Sequence, residues 1–527
     1  MRTLIRCAAR SKRIHFICHS RESGNPARAL DWKFLFILAI WIPAFAGMTK
    51  QALGQNLEHF RHDLDSLFSD TTFSNATFGV AIQSLKTGEY LYRRNDTKSL
   101  MPASNMKLFT AAEALALLGP EYRYKTELLT NGKIKGHTLY GDLIVRGVGD
   151  PTLGSGFPQE LGAPEKGYIF DELRDRLDED HIKNITGGII ADDTYFTSEV
   201  YPNGWQADDM PYYYAPEVTA LSVMGDRIRV DINIEENVNS FLEAKYYVES
   251  EEDIPVVNHL QALEDTLLSP TVDIARKLNS DTIIITGRMS LRGPDVHQEV
   301  SMGNPSFHAV SLLRKELMSN GINVRRRATV IQDSVHHERQ ELLPLDTDES
   351  LPLKTIVRTM NKTSDNLYAE CLFRTVAKEI GGEGSWTRGI AVMRKYLATL
   401  GTDTTRIQFT DGSGLSRMDL VTADDIVTVL RAMASNPKLD SAYYNSLPIM
   451  GVDGTLENRL KGTPAQGNIH AKTGSMTGVR SISGYLTTRD GQPTAFSILA
   501  NNYTVSGSEI GKLEDEVLLK LVNFSSR

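Results

Sequence analysis

The sequence predicts a mixed α+β protein, with helices around an antiparallel sheet and a large, mainly-β insertion. Strand-like alternation appears near both ends of the chain, helical patterning dominates after Leu351, and short strands with turns fill the stretch from Tyr122 to about Gln340. Early and late strands can share one sheet, with the terminal helices packed on it. The middle then becomes an insertion, and 527 residues are too many for one typical domain.

The first 46 residues stand apart. Eight basic residues (Arg2, Arg6, Arg10, Lys12, Arg13, Arg21, Arg28, Lys33) face two acids, Glu22 and Asp31, ahead of an apolar run from Phe34 to Ile42 and Ala44-Phe45-Ala46. Basic, apolar, then small is the layout of a secretory leader, although this basic region is unusually long. The apolar run is too short to span a bilayer, which needs about 20 residues. A periplasmic or extracytoplasmic protein is expected, with peripheral association to membrane or wall compatible with it. Loss of the leader takes the net charge from −9 to −15, because eight positive and two negative charges leave. So acidic a chain is a poor nucleic-acid binder. Cys7 and Cys18 leave too, and Cys371 alone can form no internal disulfide.

Residues 56–68 read as an amphipathic helix through Leu57, Phe60, Leu64 and Leu67. "FGVAIQSLKTGEYLYRRN" reads as a hairpin turning at Lys86-Thr87-Gly88. A helix opens near Ser104 and runs to about Leu118, where Gly119-Pro120 stops it. "DRIRVDINI" and "DTIIITGRMSLRG" are strand-like. Gly147, Gly149 and Gly154 loosely imitate a phosphate loop, but no Gly-Lys-Ser/Thr follows, so they mark a turn. The chain closes with "NIHAKTGSMTGVRSISGYLTTRDGQPTAFSILANNY", two strand regions around a Gly-rich turn, and a helix from about Ser508 to Val522.

Three short motifs carry the chemistry. Ser104-x-x-Lys107 opens a helix, Ser364-x-Asn366 opens another, and Lys472-Thr473-Gly474 lies on a late strand. Each is cheap alone. About two S-x-x-K matches arise by chance in a chain of this composition, and Ser435 to Lys438 is one. The ordered set is far rarer, and it is the signature of serine β-lactamases and penicillin-binding proteins.

The spacing suits the chemistry. Residues i and i+3 of a helix lie about 5–6 Å apart, so Lys107 reaches the Ser104 hydroxyl. That hydroxyl is a weak nucleophile until a base takes its proton, and lysine is a base only when burial or neighbouring positive charge lowers its pKa. Lys472 supplies such charge and can meet a substrate carboxylate. The helix N-terminus adds positive potential at Ser104. Ser364 offers a hydroxyl relay and Asn366 an amide contact to the substrate backbone. Gly474 lets a peptide lie along the strand edge, and the backbone N–H groups of Ser104 and Ser475 are candidates for an oxyanion hole. No G-x-S-x-G elbow accompanies His470, which reads as a strand histidine. His336-His337-Glu338 lacks H-E-x-x-H spacing and reads as a solvated turn; no metal and no cofactor are implied.

With these motifs, "GDLIVRGVGDPTL", "APEVTALSV", "DGSGLSR", "GVDGTLENRL" and "HAKTGSMTGVRSISGYL", the chain resembles the class C, type-4 penicillin-binding proteins from about Phe78 onward. The resemblance implies an exported D-Ala-D-Ala carboxypeptidase and endopeptidase acting on peptidoglycan stem peptides, with Ser104 acylated, Lys107 its base, and β-lactam antibiotics as covalent inhibitors. It implies a penicillin-binding-protein/serine β-lactamase-like transpeptidase domain at 55–121 and 341–527. An insertion would occupy 122–151 and 257–340, with 152–256 nested in it. It further places the 411–417 loop beside a side-chain pocket, where Arg417 would meet a carboxylate, Asp192 or Asp193 an amine, and Thr477 would be a neutral neighbour. Two other readings compete. A fast-deacylating serine β-lactamase shares the motifs, but no E-x-x-L-N follows Ser364. A non-catalytic wall-binding protein would be free to lose Ser104 or Lys107.

Overall fold

A computed structural model describes residues 56–154, 177, 181–236, 242–249, 254–264, 269, 271–332 and 342–526. The expected leader and His336-His337-Glu338 lie outside the described residues, as does part of the nested piece.

Early and late strands do join in one antiparallel sheet. Strands β1 (Thr77–Ser84) and β2 (Tyr90–Arg94) form the expected hairpin, and β3 (His470–Met476), β4 (Val479–Thr487) and β5 (Pro493–Asn501) follow at the other end of the chain. The order is β2-β1-β5-β4-β3, so β3, which carries Lys472-Thr473-Gly474, is an edge strand. The C-terminal segment thus holds three strands rather than two, because Asp490-Gly491 turns the chain once more.

Alternation with period 2 sorts the side chains to two faces. Val80, Ile82, Ile482, Phe496 and Ile498 pack against α1 (residues 56–68) through Phe60, Leu64 and Phe68, and against the C-terminal helix Gly507–Asn523 through Ile510, Val517 and Leu521. A Ser506/Glu509 capping box starts that last helix. Ala81, Leu499 and Tyr485 face the other way, toward α2 (Met106–Leu117), α3 (Leu353–Thr363), α4 (Asn366–Gly381) and α5 (Ala423–Ala434). Helix α2 is apolar on nearly every side, as a helix at the centre of a core must be.

The insertion has its own core. One five-stranded sheet runs Thr329–Ile331, Ile189–Asp192, Leu143–Arg146, Lys125–Thr130, Leu343–Glu349. Strand Leu343–Glu349, assigned from sequence to the main domain, therefore pairs within the insertion, and Ile189–Asp192, assigned to the nested piece, sits inside the outer sheet. The nested strands are later than expected: Arg227–Glu236 lies between Leu242–Glu249 and Val296–Ser301. A helix, Pro305–Ser319, buries Val310, Leu313 and Leu317 in a region read as strands.

Residues 196–220 leave the insertion's core and join that of the main body, through Phe196, Trp205, Ala215 and Val218. Arg374 of α4 anchors them. Its buried guanidinium donates to the carbonyls of Thr197, Glu199, Val218 and Gly384 and lies over the Phe196 and Trp386 rings. Among the described residues, no helix is long and apolar enough to cross a membrane.

Candidate active site

Ser104 sits in a 3-10 turn, Ala103–Asn105, that feeds directly into α2. Ala103 adopts a left-handed conformation (φ 46°), an unusual cost for a residue with a Cβ, and the turn is over-determined by what touches it. Ser481 Oγ donates to the Pro102 carbonyl at 2.6 Å, and Asn105 Nδ2 donates to the Lys472 carbonyl at 3.1 Å. Two glycines make room. A Cβ on Gly414 (φ 82°) would lie 1.9 Å from the Ala103 carbonyl oxygen, and one on Gly474 would lie 2.8 Å from Ser104 N. Gly474 is therefore required first by the approach of the serine turn to β3, before any peptide arrives.

Lys107, in the first turn of α2, is wholly buried. Its Nζ bonds Asn366 Oδ1 at 2.6 Å, the Ser413 carbonyl at 2.8 Å and Ser104 Oγ at 3.1 Å. The Asn366 amide is oriented from behind. Its Nδ2 donates at 2.7 Å to the Tyr214 carbonyl, which can only accept, so Oδ1 must face the lysine. Burial pulls the Lys107 ammonium down to about 8, against Asp411, Asp365 and Glu370, which favour the charged form.

Ser364 occupies the left-handed joint between α3 and α4 (φ 62°), and Asp365 caps α4 by accepting from Tyr368 N at 3.1 Å. Lys472, also fully buried, donates to Ser364 Oγ and to the Thr473 carbonyl, both at 2.8 Å. Burial first, then the charge of Lys107, holds its pKa well below the ordinary lysine value. Thr473 Oγ1 lies 2.7 Å from Thr455 Oγ1, and Ser475 is exposed on the β3 edge.

These groups open onto a cleft of about 590 Å³ lined by Ser104, Ser364, Asn366, Ser475, Arg417 and Thr477, together with Asp208, Asp209, Tyr213 and Arg227 of the insertion. Arg417 donates to Gln206 Oε1 at 2.9 Å and to the Thr477 carbonyl at 3.1 Å, rather than pairing with Asp411. The structure does not bring Asp192 or Asp193 there. Asp192, 2% exposed, pairs with Arg146 Nε at 2.9 Å, and Asp193 accepts from Ala220 N at 2.6 Å; both are spent inside the insertion. The cleft's acids are Asp365, which pairs with Arg227, and Asp208 and Asp209, the last of which also accepts from Tyr214 Oη at 3.0 Å.

Sequence reasoning passed over the groups behind Lys107. Glu370 of α4 is fully buried and accepts from Gly412 N (3.1 Å), Ser413 N (2.8 Å) and Trp386 Nε1 (2.7 Å), fixing the loop whose carbonyl holds the lysine. Burial and Asp411 push its carboxyl up to about 7. The available signal was a glutamate four residues after Asn366, one helical turn on, within the otherwise apolar "LYAECLF".

The sequence profile of the D-Ala-D-Ala carboxypeptidase 3 (S13) family matches residues 60–519. A D-alanyl-D-alanine carboxypeptidase of Actinomadura sp. (strain R39) is 32% identical over 514 residues, covering 95% of this chain and 91% of that one. D-alanyl-D-alanine carboxypeptidase DacB of Haemophilus influenzae is 26% identical over 487 residues, covering 90% and 93%. The crystal structure of penicillin binding protein 4 from H. influenzae superposes with a TM-score of 0.75 at 26% identity, over 88% of this chain and 99% of that one. A serine, two buried lysines and an asparagine gathered at one cleft agree with those matches, and the chain belongs to the D-Ala-D-Ala carboxypeptidase 3 (S13) family, a serine peptidase of the type-4 penicillin-binding kind.

Proposed function

We propose that this enzyme is exported and cleaves D-Ala-D-Ala and D-alanyl cross-links of peptidoglycan stem peptides through an acyl-enzyme on Ser104. The observation that carries the reading is the coordination of Lys107. Two of its three partners, the Ser413 carbonyl and Asn366 Oδ1, have no proton to give. Neutral Lys107 keeps its two N–H bonds to them and turns its lone pair to the third, the Ser104 hydroxyl. With its pKa near 8, about a tenth of Lys107 is in that form at pH 7.

In the first half-reaction Ser104 Oγ bonds to the carbonyl carbon of the penultimate D-Ala while its proton passes to Lys107. The carbonyl electron pair moves to oxygen, where the backbone N–H groups of Ser104 and Ser475 would meet it. Collapse breaks the C–N bond, and the proton held on Lys107 passes to the leaving amine through the Ser364 hydroxyl. In the second, Lys107 takes a proton from water, the hydroxide oxygen bonds to the ester carbon, and Ser104 leaves with the proton. The terminal carboxylate would sit on Lys472 and Thr473. Past the antiparallel bridge of His470 to Ile449, the edge of β3 has no partner strand among the described residues, which suits a peptide added in extended form. A β-lactam, which shares the acyl group and the carboxylate, would stop at the ester, and a β-lactam complex exists for the H. influenzae protein.

Intact mass after incubation with benzylpenicillin tests this. One penicilloyl group, mapped to Ser104, slowly lost and absent in Ser104→Ala, is the expected result. Labelling that survives in the variant ends the assignment, and rapid turnover of the drug makes the enzyme a β-lactamase.

A further inference from the structure

We propose that the insertion carries a second substrate site, a saccharide subsite that holds the glycan from which the stem peptide hangs; this rests on the reading that peptidoglycan is the substrate. A second cavity of about 570 Å³, within the usual range for small-ligand sites, opens beside the catalytic cleft. Tyr213 lines both, so one tyrosine forms the ridge between them.

That ridge is a fixed platform. Tyr213 meets Tyr214 edge-on (5.5 Å, 85°), Tyr212 stacks on Tyr214 (5.8 Å, 7°), and the Arg227 guanidinium lies 5.2 Å from the Tyr213 ring centre. The Tyr214 carbonyl is the one that orients Asn366, so the platform is tied to the catalytic amide. Tyr213 still leaves 44% of its surface to solvent. An amphipathic ring fixed in this way presents apolar area at little entropic cost on binding.

The chemistry of the walls selects the occupant. The charged groups are matched within the protein: Arg229 and His297 both reach Asp231 Oδ1 (3.0 and 2.6 Å), Glu299 meets Arg227 at 3.2 Å, and Asp273 accepts from Tyr212 Oη at 3.2 Å. A second stem peptide brings free carboxylates and an ammonium, which need opposing charges left unmatched in the site. An N-acetylated disaccharide is neutral where the stem is attached. It needs an aromatic face and hydrogen-bonding edges, which this cavity presents.

The test compares kcat/KM on a free pentapeptide ending in D-Ala-D-Ala with that on the same pentapeptide attached to its disaccharide. The wild-type enzyme should favour the glycan-linked substrate about tenfold, worth ~1.4 kcal/mol. Asp273→Ala, and His297→Trp to fill the cavity, should bring that ratio near one. Hydrolysis of the free peptide and acylation by benzylpenicillin should hold within about twofold; both side chains are exposed, so folding is not at stake. Absence of a wild-type preference, or its persistence in both variants, overturns the subsite. If the variants instead lose a preference for a glycan-free cross-linked dimer, the occupant is a second stem and the saccharide assignment falls. Failure to cleave either substrate would remove the underlying reading itself, a result distinct from cleavage without preference.

Discussion

Two buried lysines reach the cleft from opposite walls, and their surroundings differ in kind. Lys107 rises from α2 into a wall that holds Asp411, Asp365 and Glu370, and it touches two fixed acceptors besides Ser104. Lys472 comes from β3, touches Ser364 and its neighbour's carbonyl, and is depressed by burial and by Lys107 with no acid opposing the shift. The chain supplies anions for the first lysine and none for the second. A lysine with its anions built in can exchange a proton with the serine at each step, whereas one without them awaits an anion from outside. On the function proposed above, the substrate carboxylate would be that anion.

Replacing the first lysine should have the largest effect. Lys107→Arg keeps the charge and the acids' partner but cannot give up a proton near neutral pH. Acylation by benzylpenicillin should fall about 10³-fold or more, nearly as far as in Lys107→Ala. An arginine variant retaining most of the rate would make both lysines mere charge partners and erase the contrast.

The opposite wall predicts a smaller loss and a proton. Lys472→Ala removes a charged contact to the substrate carboxylate, worth about 2–3 kcal/mol, so kcat/KM should fall on the order of a hundredfold. Because the Lys472 pKa is held low in the free enzyme and a bound carboxylate raises it, ligand binding should take up a proton. Calorimetry of a D-Ala-D-Ala peptide binding to Ser104→Ala, in buffers of different ionisation enthalpy at pH 7.5, reads that uptake. Lys472→Ala in the same background should abolish it. Proton release instead would reverse the assignment of the two walls.

Glu370→Gln probes the acids. A glutamine offers one acceptor where the carboxylate receives from Trp386, Gly412 and Ser413, so the loop shifts and the plateau acylation rate should drop about tenfold. The pH profile separates charge from geometry. Glu370 ionises as pH passes about 7, and its negative charge raises the pKa of Lys107, which delays formation of the free base. Without that charge the acid limb should move to lower pH. A profile lowered in height but unmoved on the pH axis would leave Glu370 a purely structural residue.

Local features were legible in the sequence and long-range ones were not. The three motifs, the hairpin and the terminal helices each lie within a few residues, where spacing speaks. Pro305 and Gly321 bracket the insertion's helix as a start and a stop, but strands on either side masked that signal. Leu343–Glu349, "LPLDTDE", is too polar to read as a strand and becomes one through its pairing with Lys125–Thr130. "ADDTYF" offered two acids for a substrate amine. Arg146, directly opposite on the neighbouring strand yet 46 residues away in sequence, claims Asp192, while the insertion's acids in the cleft are Asp208 and Asp209. The groups that aim Lys107 through the Tyr214 and Ser413 carbonyls are backbone atoms, which leave no mark on residue type.

Arg417 belongs to neither wall alone. It sits on the loop that follows Gly414, yet its Nη1 donates to the Thr477 carbonyl just beyond the end of β3, and its Nε to Gln206 of the insertion. The guanidinium thus bridges three elements at the cleft rim with donors to spare, since arginine carries five N–H groups. If the spare donors fork onto the side-chain carboxylate of a diamino-acid stem, with Asp208 or Asp209 facing its amine, Arg417→Ala loses a surface contact of about 1 kcal/mol. That is about a fivefold fall in kcat/KM for such stems. Benzylpenicillin lacks the side chain, so its acylation should change less than twofold. Restoring a cation with Arg417→Lys should recover only part of the loss, because an ammonium cannot make the fork. An equal fall on both substrates would mean that Arg417 acts as a strut between the two walls, and the side-chain pocket would then be assigned to other groups.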